Sequence, residues 1–309
     1  MIDVSVVIPI YNEEGNVFLL HERLSSVMNG LGSTFELIFV NDGSKDQSIF
    51  LIIQLAEMDR RVKYINLSRN FGHQIAVSAG LDMAVGNAIV IIDADLQDPP
   101  ELIGDLYAKL KEGFQVVYAK RKQREGETVA KRLTAKLFYR LLKRITSVDI
   151  PVDTGDFRIM DRKVVNVLKA MPEKNKFLRG QIPWIGFNQT FVEYERNERY
   201  AGKTGYTYRK MFRFAMDGIT SFSSFPLKVA SILGFVVSGI AFFTMIYALY
   251  IRFVNGHYVQ GWTSLIISIM FIGGIQLICL GMIGEYLSRM SDNIRNRPLY
   301  IVSDTNITD

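Results

Sequence analysis

The sequence predicts an α/β fold with a mainly parallel sheet, followed by an interfacial amphipathic helix and two membrane-spanning helices. Three observations predict this fold. Apolar, β-branched runs alternate with helical patterns up to about residue 160, two long segments near the C-terminus contain no charged residue, and a basic amphipathic stretch separates these regions. Apolar strands joined by helical crossovers are typical of parallel sheets that are covered on both faces.

The sheet and its helices are predicted from the first half of the chain. The apolar runs predict strands at Val4–Ile10, Phe35–Val40, Val62–Leu67, Ala88–Ile92 and Val116–Ala119. The helical patterns lie at Glu13–Leu31, Asp46–Asp59, Gln74–Val85, Pro100–Glu112 and Thr128–Ile145. Parallel sheets of this kind bind ligands beyond the carboxyl ends of their strands, so we expect the functional residues at that edge.

The two charge-free segments are Val229 to Ile251 and Trp262 to Gly284. Each is longer than the roughly 20 apolar residues that a membrane-spanning helix needs. Buried core helices are the alternative, but helices that are apolar on every side at this length are rare in soluble domains. Aromatic residues near the predicted ends, as in a membrane-interface belt, are Tyr247, Tyr250, Tyr258 and Trp262.

Basic residues flank the two segments. They are Lys203, Arg209, Lys210, Arg213 and Lys228 before the first segment, and Arg289, Arg295 and Arg297 after the second. Because basic flanks stay in the cytoplasm, we expect both termini there and a short loop outside. Met1 to Tyr11 has no basic region and no small-residue cleavage site, so we interpret it as a buried strand rather than a targeting segment.

The stretch from Tyr206 to Phe225 carries apolar residues at helical spacing, with most of its basic residues on other faces. This pattern predicts a helix that lies in the plane of the membrane interface, and a surface helix packed on the domain is the alternative. The domain plan is therefore a globular domain over 1–205, the amphipathic helix over 206–225, two spans within 226–288, and a cytoplasmic tail over 289–309.

Composition restricts the possible partners. The net charge of +5 and the pI of about 9.1 suit nucleic acid, anionic lipid or phosphorylated substrates. Charged residues make up 22% of the chain, which excludes a disordered protein. The single cysteine, Cys279, excludes an intrachain disulfide and a cysteine metal cluster. Because it lies in the second charge-free segment, we interpret it as a small apolar filler.

Three predicted strands end in acidic sequences, which bring carboxylates to one edge of the sheet. These sequences are Pro9-Ile10-Tyr11-Asn12-Glu13-Glu14, Asn41-Asp42-Gly43-Ser44-Lys45-Asp46 and Asp93-Ala94-Asp95-Leu96-Gln97-Asp98. A folded protein does not gather so many carboxylates without a cation or a polar ligand that satisfies them.

Asp93 and Asp95 give the sharpest signal at this edge. In an extended chain, residues two apart point to the same side, so both carboxylates can bind one divalent cation. Mg²⁺ commonly takes one or two protein carboxylates and completes its shell with water and substrate phosphates. Gln97 adds a neutral oxygen or orients a bound water. A cation that bridges a diphosphate neutralises it as a leaving group and acts as a Lewis acid.

Four motifs in this order, VVIPIYNEE, VNDGSKD, DADLQDPP and TGDFRIM, resemble the family 2 glycosyltransferases, which have the GT-A fold, a Rossmann-like α/β domain. The resemblance is closer to the branch that acts on polyprenyl phosphates, which includes dolichol-phosphate mannose synthases and bactoprenol glucosyltransferases. RNFGHQ, FLRG and the paired spans are most similar to the bactoprenol group. The resemblance runs along nearly the whole chain.

The resemblance implies a role for each matching position. Contacts with the nucleotide sugar are implied for Pro9, Tyr11, Glu13, Asp42 and Asp93. The cation, Mg²⁺ or Mn²⁺, and the diphosphate are assigned to Asp93, Asp95 and Gln97. The lipid phosphate is assigned to Arg121, Arg132 and Arg199, with Lys131 as the alternative to Arg132. Asp156 matches the acid placed near the acceptor, and Asp95 and Asp156 are the expected catalytic residues.

The implied reaction is an inverting, metal-dependent transfer of a hexose to a polyprenyl phosphate in the cell membrane. Glucose from UDP-glucose and undecaprenyl phosphate are the expected substrates, with GDP-mannose or another UDP-sugar as alternative donors. The resemblance also favours a homo-oligomer, and two spans are too few to form a translocation pore. We therefore expect a separate flippase to move the product.

The acceptor class suggests how Asp156 acts. A phosphate monoester has a second pKa of about 6, so it is mostly dianionic at neutral pH and needs little help from a general base. Our hypothesis is that Asp156 positions the acceptor pocket, through an arginine or a sugar hydroxyl, and that proximity and charge neutralisation drive the reaction. His73 follows a glycine, and we interpret it as a loop packing or capping residue rather than a catalyst.

Other classes of protein fit the sequence less well. A processive polysaccharide synthase needs more spans and a Q-x-x-R-W motif, which the sequence lacks. A non-catalytic membrane scaffold or lipid-binding protein does not require the intact acidic edge. Two spans and acidic strand ends argue against a nucleic-acid-binding protein.

Overall fold

The structure is a computed structural model, and it describes residues 2–122, 154–195, 223, 225–250, 253–254 and 261–307. Within these residues, eight strands form one mixed sheet in the order β7-β5-β6-β4-β1-β2-β3-β8. In chain order they are β1 Val4–Ile10, β2 Phe35–Asn41, β3 Val62–Leu67, β4 Ala88–Ile91, β5 Val116–Arg121, β6 Thr154–Asp161, β7 Gln189–Tyr194 and β8 Val302–Thr305. All five predicted strands are present.

The described helices are α1 Val17–Gly30, α2 Ser48–Met58, α3 His73–Met83, α4 Ile103–Lys111, α5 Arg162–Ala170, α6 Leu178–Ile185, α7 Phe225–Tyr250 and α8 Trp262–Ile294. A short 3₁₀ turn, Pro100–Leu102, precedes α4. The predicted helix Thr128–Ile145 lies outside the described residues, as does the predicted helix Tyr206–Phe225 except for residues 223 and 225.

The centre of the sheet is parallel, as predicted. β1 pairs in parallel with both β2 and β4, and β2 pairs in parallel with β3. β6 then lies antiparallel between β4 and β5. The N-terminus of β6 therefore lies at the same edge as the C-termini of β1, β2 and β4. This arrangement brings the TGDFRIM sequence beside the acidic strand ends.

Helices cover both faces of the sheet, and each face has its own apolar core. One core contains Leu20, Leu24 and Met28 of α1, all fully buried. The other contains Ala76 of α3 and Val164 of α5. Burying each large apolar side chain stabilises the fold by about 1.5–3 kcal/mol. The central strands are apolar on both faces, so their side chains contribute to both cores.

α7 and α8 pack against each other as an antiparallel pair. The Cys279 Sγ lies 3.7 Å from the Ala230 carbonyl, and the Tyr286 hydroxyl donates to the Ser223 carbonyl at 2.6 Å. Both helices are long and apolar enough to cross a membrane, over Phe225–Thr244 and Phe271–Ile294. Their outer surfaces are unusually apolar for water, since Phe235 is 81% exposed.

The C-terminal strand β8 returns to the globular domain and pairs antiparallel with β3 at the sheet edge. The Tyr64 amide donates to Asn306 Oδ1 at 2.8 Å, and Asn306 Nδ2 donates to the Val62 carbonyl at 3.0 Å. The chain that follows α8 therefore shares one sheet with the N-terminal strands.

Candidate active site

The loops after β1 and β2 are bound to each other by side chain to backbone hydrogen bonds. The Asn12 amide donates to Ser44 Oγ at 3.0 Å, and Lys45 N donates to Asn12 Oδ1 at 2.8 Å. The Glu13 amide donates to Ser48 Oγ at 3.0 Å. These bonds keep Glu13 in a loop, so α1 begins at Val17 rather than at Glu13 as predicted.

The nucleotide-binding candidates after β1 lie along this paired loop. Pro9 is buried within β1, whereas Tyr11 is 43% exposed at the strand end. Glu13 Oε2 accepts a hydrogen bond from Asn16 Nδ2 at 2.6 Å. Tyr11 therefore presents an exposed aromatic ring at the carboxyl edge of the sheet, and Glu13 follows two residues later in the loop.

Asp42 is buried at the end of β2 and binds the loop that leads into α3. Its Oδ1 accepts from the Phe71 amide at 2.7 Å, and its Oδ2 accepts from the Gly72 amide at 3.0 Å. Burial raises the pKa of Asp42, and these two hydrogen bonds oppose the rise. Gly43 has φ of +65°, and a Cβ there would lie 2.5 Å from the Arg69 carbonyl carbon. This close approach requires a glycine.

Asp93 and Asp95 lie in the turn that follows β4. Asp95 Oδ1 accepts a hydrogen bond from the Gln97 amide at 3.2 Å. Leu96, between Asp95 and Gln97, has a positive φ of 57°. Burial raises the pKa of Asp93 to about 6, and the nearby carboxylates add to the rise while His73 opposes it. Among the described residues, Asp93 Oδ1 is a buried acceptor without a hydrogen bond.

Asp156, near the start of β6, is surrounded by nitrogen donors. Arg179 donates to both carboxylate oxygens, from Nε to Oδ1 at 2.9 Å and from Nη2 to Oδ2 at 3.1 Å. Arg158 Nη2 lies 3.1 Å from Oδ1. His73 Nε2 and Gln74 Nε2 lie 3.1 and 3.4 Å from Oδ2. The Asp156 side chain is only 8% exposed.

Charges set the protonation of this cluster. Burial raises the pKa of Asp156, but Arg179, His73 and Arg158 outweigh it and hold the pKa well below the usual range. Desolvation lowers the pKa of His73, but the hydrogen bond to Asp156 and the charge of Asp93 raise it to about 9. Asp156 is therefore a stable carboxylate and a weak base at neutral pH.

His73 lies between Asp93, after β4, and Asp156, in β6. Its Nε2 lies 3.6 Å from Asp93 Oδ1 as well as 3.1 Å from Asp156. The interpretation of His73 as a packing or capping residue is wrong, because Gly72, with φ of 104°, turns the chain so that α3 begins with this side chain in the site.

Ligand atoms of His73, Asp93 and Asp156 lie within 4.8 Å of one another. The two arginines already bind both oxygens of Asp156, so this carboxylate suits a cation poorly. Asp93 fits a hard divalent cation better, since its buried Oδ1 has no hydrogen bond among the described residues. Asp95 and Gln97 lie in the same turn.

Arg121 ends β5 and lies beside the same edge. Its Nε donates to the Tyr194 hydroxyl at 3.2 Å, and its Nη2 lies 3.7 Å from Asp98 Oδ1. The Tyr194 hydroxyl also donates to Asp98. A Cβ on Gly155 would lie 2.8 Å from Arg121 Nη2, so the guanidinium lies against the chain next to Asp156.

The structure therefore brings together part of the predicted site and adds residues to it. Arg132 and Arg199 lie outside the described residues. Residues at the site that the sequence left without a role are Asp98, Arg158, Arg179 and Tyr194. Arg179 lies in the FLRG sequence and Arg158 in TGDFRIM, so the motifs that carried the resemblance contained them.

The mixed α/β sheet, with paired carboxylates after β4 and an arginine-bound carboxylate in β6 beside them, is that of a GT-A glycosyltransferase. The chain belongs to glycosyl transferase family 2, whose domain matches residues 5–168. The uncharacterized glycosyltransferase YkcC of Bacillus subtilis is 53% identical over 301 residues, which cover 97% of this chain and 93% of that protein.

Two further relatives carry more specific names. The prophage bactoprenol glucosyl transferase homolog of Escherichia coli is 41% identical over 299 residues, covering 97% of this chain and 98% of that protein. The bactoprenol glucosyl transferase of Shigella phage SfII is 40% identical over 299 residues, covering 97% of both. These alignments include the helix pair as well as the globular domain.

Proposed function

We propose that this glycosyltransferase moves glucose from UDP-glucose to undecaprenyl phosphate at the cytoplasmic face of the cell membrane. The product is a lipid-linked sugar for cell-envelope glycosylation. The main support for this proposal is the similarity to bactoprenol glucosyl transferases, which covers nearly the full length of the chain and both apolar helices. GDP-mannose or another UDP-sugar is the alternative donor.

The topology supports an acceptor that stays in the membrane. The β3–β8 pairing holds the chain that leaves α8 against the globular domain. The Lys174 amide also donates to Asn293 Oδ1 at 3.0 Å, which joins the end of α8 to the loop before α6. A lipid phosphate at the membrane surface can then reach the site while its prenyl chain stays in the bilayer. The basic flanks favour the cytoplasmic side.

The proposed roles follow the site's geometry. Tyr11, Glu13 and Asp42 form the nucleotide side of the edge, and Asp93, Asp95 and Gln97 hold the cation and the diphosphate. A bound Mg²⁺ or Mn²⁺ would neutralise the charge of the departing diphosphate. Arg121 serves the acceptor phosphate, together with Arg132 and Arg199.

In the proposed reaction, a phosphate oxygen of the acceptor attacks the anomeric carbon, and the bond from that carbon to the donor diphosphate breaks. UDP leaves and the configuration inverts. The acceptor is already dianionic at neutral pH, so no proton has to be removed. Asp156, whose pKa is held well below its usual range, acts as a positioning group rather than a base.

A donor panel tests this function. Purified protein in detergent, with Mg²⁺ or Mn²⁺ and short-chain polyprenyl phosphate, is given radiolabelled nucleotide sugars one at a time. We expect label to enter the organic phase from UDP-glucose, and to be lost with chelator and in Asp95→Asn. Asp105→Asn, which removes an exposed carboxylate from α4, is the matched control and should keep full activity. Transfer from no donor by folded protein would contradict the proposal and favour a lipid-binding scaffold.

A further inference from the structure

We propose that Tyr194, Asp98 and Gly155 position the Arg121 guanidinium to bind the acceptor phosphate. The inference rests on the proposed function, in which Arg121 serves that phosphate, and deepens it. Tyr194 and Asp98 orient the guanidinium, and Gly155 leaves the space that the guanidinium occupies. All three are therefore positioning residues, which act through Arg121 and not by contact with the substrate.

The ends of two neighbouring strands bring Arg121 and Tyr194 together. Arg121 is the last residue of β5, Tyr194 is the last residue of β7, and the two are register partners in this parallel pair. Side chains alternate between the faces of a sheet, so register partners share a face. Lys120 and Glu193, one position earlier, form an exposed ion pair at 3.0 Å. The fully buried Asp98, from the turn after β4, reaches the Tyr194 hydroxyl.

The Tyr194 hydroxyl connects Asp98 to Arg121 by two hydrogen bonds of fixed direction. A phenolic hydroxyl has one proton to donate, and Tyr194 donates it to Asp98 Oδ1. Toward Arg121 the hydroxyl is therefore an acceptor, and Nε donates to it at 3.2 Å. Burial and the charge of Asp98 raise the pKa of Tyr194, so the hydroxyl keeps its proton at neutral pH. The Nε side of the guanidinium is thereby fixed.

The two terminal nitrogens of Arg121 remain for a ligand. Nη2 lies 3.7 Å from Asp98 Oδ1, which is an ion-pair distance but too long for a hydrogen bond. Within the part of the chain that the structure describes, neither Nη1 nor Nη2 donates a hydrogen bond. The Arg121 side chain is 30% exposed. A guanidinium that is held by Nε and open at both Nη atoms suits a phosphate, which binds parallel N–H groups.

Gly155 makes room for this guanidinium. A Cβ at Gly155 would lie 2.8 Å from Arg121 Nη2 and 3.5 Å from its Cζ. Gly155 lies in β6 and is not among the described glycines with a positive φ, so the backbone does not require a glycine at this position. The missing side chain therefore serves the contact with Arg121. Because Asp156 follows directly, this contact places the guanidinium beside the second acid of the site.

Arg121 also lies near the proposed cation site. Burial lowers the pKa of Arg121, but the charges of Asp98 and Asp93 outweigh it and raise the pKa above its usual value. Arg121 is therefore charged at any pH that the protein survives, and Asp93 is one of its electrostatic neighbours. A phosphate bound by Arg121 lies between the diphosphate, which Asp93 holds through the cation, and Asp156. An attacking phosphate oxygen must occupy this place.

A double-mutant cycle between Tyr194 and Arg121 tests the inference. Tyr194→Phe removes the hydroxyl but keeps the ring that packs edge-on against Phe157. We expect the KM for short-chain polyprenyl phosphate to rise about 3- to 10-fold, with little change in the donor KM, because Arg121 loses an orienting hydrogen bond. Arg121→Gln should raise the acceptor KM about 10- to 100-fold. Adding Tyr194→Phe to Arg121→Gln should raise it less than about 2-fold further, since no guanidinium is left to orient.

A second cycle uses Gly155→Ala, which displaces the guanidinium without removing a polar group. We expect the acceptor KM to rise by about 3- to 10-fold here too, and the rise should disappear in Arg121→Gln, whose shorter side chain avoids the new methyl group. Tyr64→Phe is the matched control. It removes a hydroxyl that donates to Asp304 at 2.8 Å near the opposite edge of the sheet, and it should leave both KM values unchanged.

The coupling to Arg121 separates a positioning role from a purely structural one, and thermal unfolding identifies variants that do not fold. Unchanged acceptor KM in both Tyr194→Phe and Gly155→Ala overturns the inference. Effects of the same size with and without the Arg121 guanidinium, or a rise in the donor KM alone, also overturn it, and all these results leave the proposed function standing. If Tyr194→Phe does not fold, the Gly155→Ala cycle decides. No transfer by the unaltered protein overturns the proposed function and the inference with it.

Discussion

The Arg179 guanidinium binds the Asp156 carboxylate side-on, with Nε 2.9 Å from Oδ1 and Nη2 3.1 Å from Oδ2. Arg158 binds the same carboxylate from the buried side. Two residues that are 23 positions apart in the chain thus form one unit, Arg179 from α6 and Asp156 from β6. Both oxygens of the Asp156 carboxylate are therefore already bound to arginine nitrogens.

Asp156→Asn tests the positioning role. The substitution leaves the buried Arg158 without its counter-charge. We therefore expect the free energy of unfolding to fall by about 3–5 kcal/mol. The transfer rate should fall by about 100-fold or more, since effects of this size accompany misplaced reactants. Rates at pH 7 and above pH 9, with thermal unfolding in parallel, check this. A rate loss that disappears at high pH would identify Asp156 as a general base and contradict the positioning role.

Asp42→Asn tests the connection between β2 and the loop that delivers His73. An asparagine accepts from one backbone amide and turns its own N–H groups toward the other. The unsatisfied amide should cost about 1–3 kcal/mol of stability. We also expect a lower transfer rate, because the loop that carries His73 loses its anchor. Thermal unfolding and kcat/KM are the measurements, and a variant with unchanged stability would show that the two hydrogen bonds do not hold the loop.

The raised pKa of His73, about 9, predicts how stability depends on pH. An unfolded histidine has a pKa of about 6.5, so the stabilisation is fully present below that pH and is lost as the pH rises through 9. The melting temperature of metal-free protein should therefore fall more steeply between these values than that of His73→Gln. His21→Gln, which removes a histidine paired with Asp59 in another region, is the control and should keep the steep fall. Parallel curves for all three proteins would refute the assignment.

Divalent cations should stabilise the protein through Asp93. At a concentration 100 times its dissociation constant, a bound ion raises the free energy of unfolding by about 2.7 kcal/mol. Protons compete for Asp93, whose pKa is about 6, so the stabilisation should weaken as the pH falls below that value. Thermal shifts with Mg²⁺ or Mn²⁺ should vanish in Asp93→Asn and persist in Asp105→Asn. An equal shift in all proteins would mean that the cation binds elsewhere.

The C-terminal strand should contribute to the stability of the globular domain. Asn306→Ala removes the acceptor for the Tyr64 amide and a donor to the Val62 carbonyl, so we expect a loss of about 1–3 kcal/mol. Ser303→Ala lies on the same strand at an exposed position and should change little. Denaturant unfolding compares the two variants. Equal stabilities would indicate that β8 adds little to the sheet.

Local pattern was sufficient to predict the centre of the fold. The strands from Val4–Ile10 to Val116–Arg121 are mostly apolar and rich in β-branched residues, and helical patterns separate them, which indicates strands. The strand Gln189–Tyr194 mixes polar and apolar residues without regular alternation, and Val302–Thr305 has few apolar residues, so neither stands out from its surroundings. Both become strands because a neighbouring strand offers an edge, which local sequence does not reveal.

The site was predictable where carboxylates follow strands directly. Asp42, Asp93 and Asp95 could be found in this way, since the ends of parallel strands share one edge. Arg179 and His73 could not, because their contact with Asp156 depends on how α3 and α6 pack beside β6. A histidine after a glycine has no distinctive spacing, and Gly72 reveals its purpose only through its positive φ of 104°.

The most direct test of transfer to a polyprenyl phosphate compares two lipids that differ only in the phosphate. Purified protein with Mg²⁺ or Mn²⁺ receives UDP-glucose labelled in the sugar, together with either undecaprenyl phosphate or undecaprenol. We expect labelled lipid from undecaprenyl phosphate alone, and mild acid should release glucose from it. Asp93→Asn should form no labelled lipid. Labelling of undecaprenol to the same extent, or of neither lipid by folded protein with any donor, would contradict transfer to a polyprenyl phosphate.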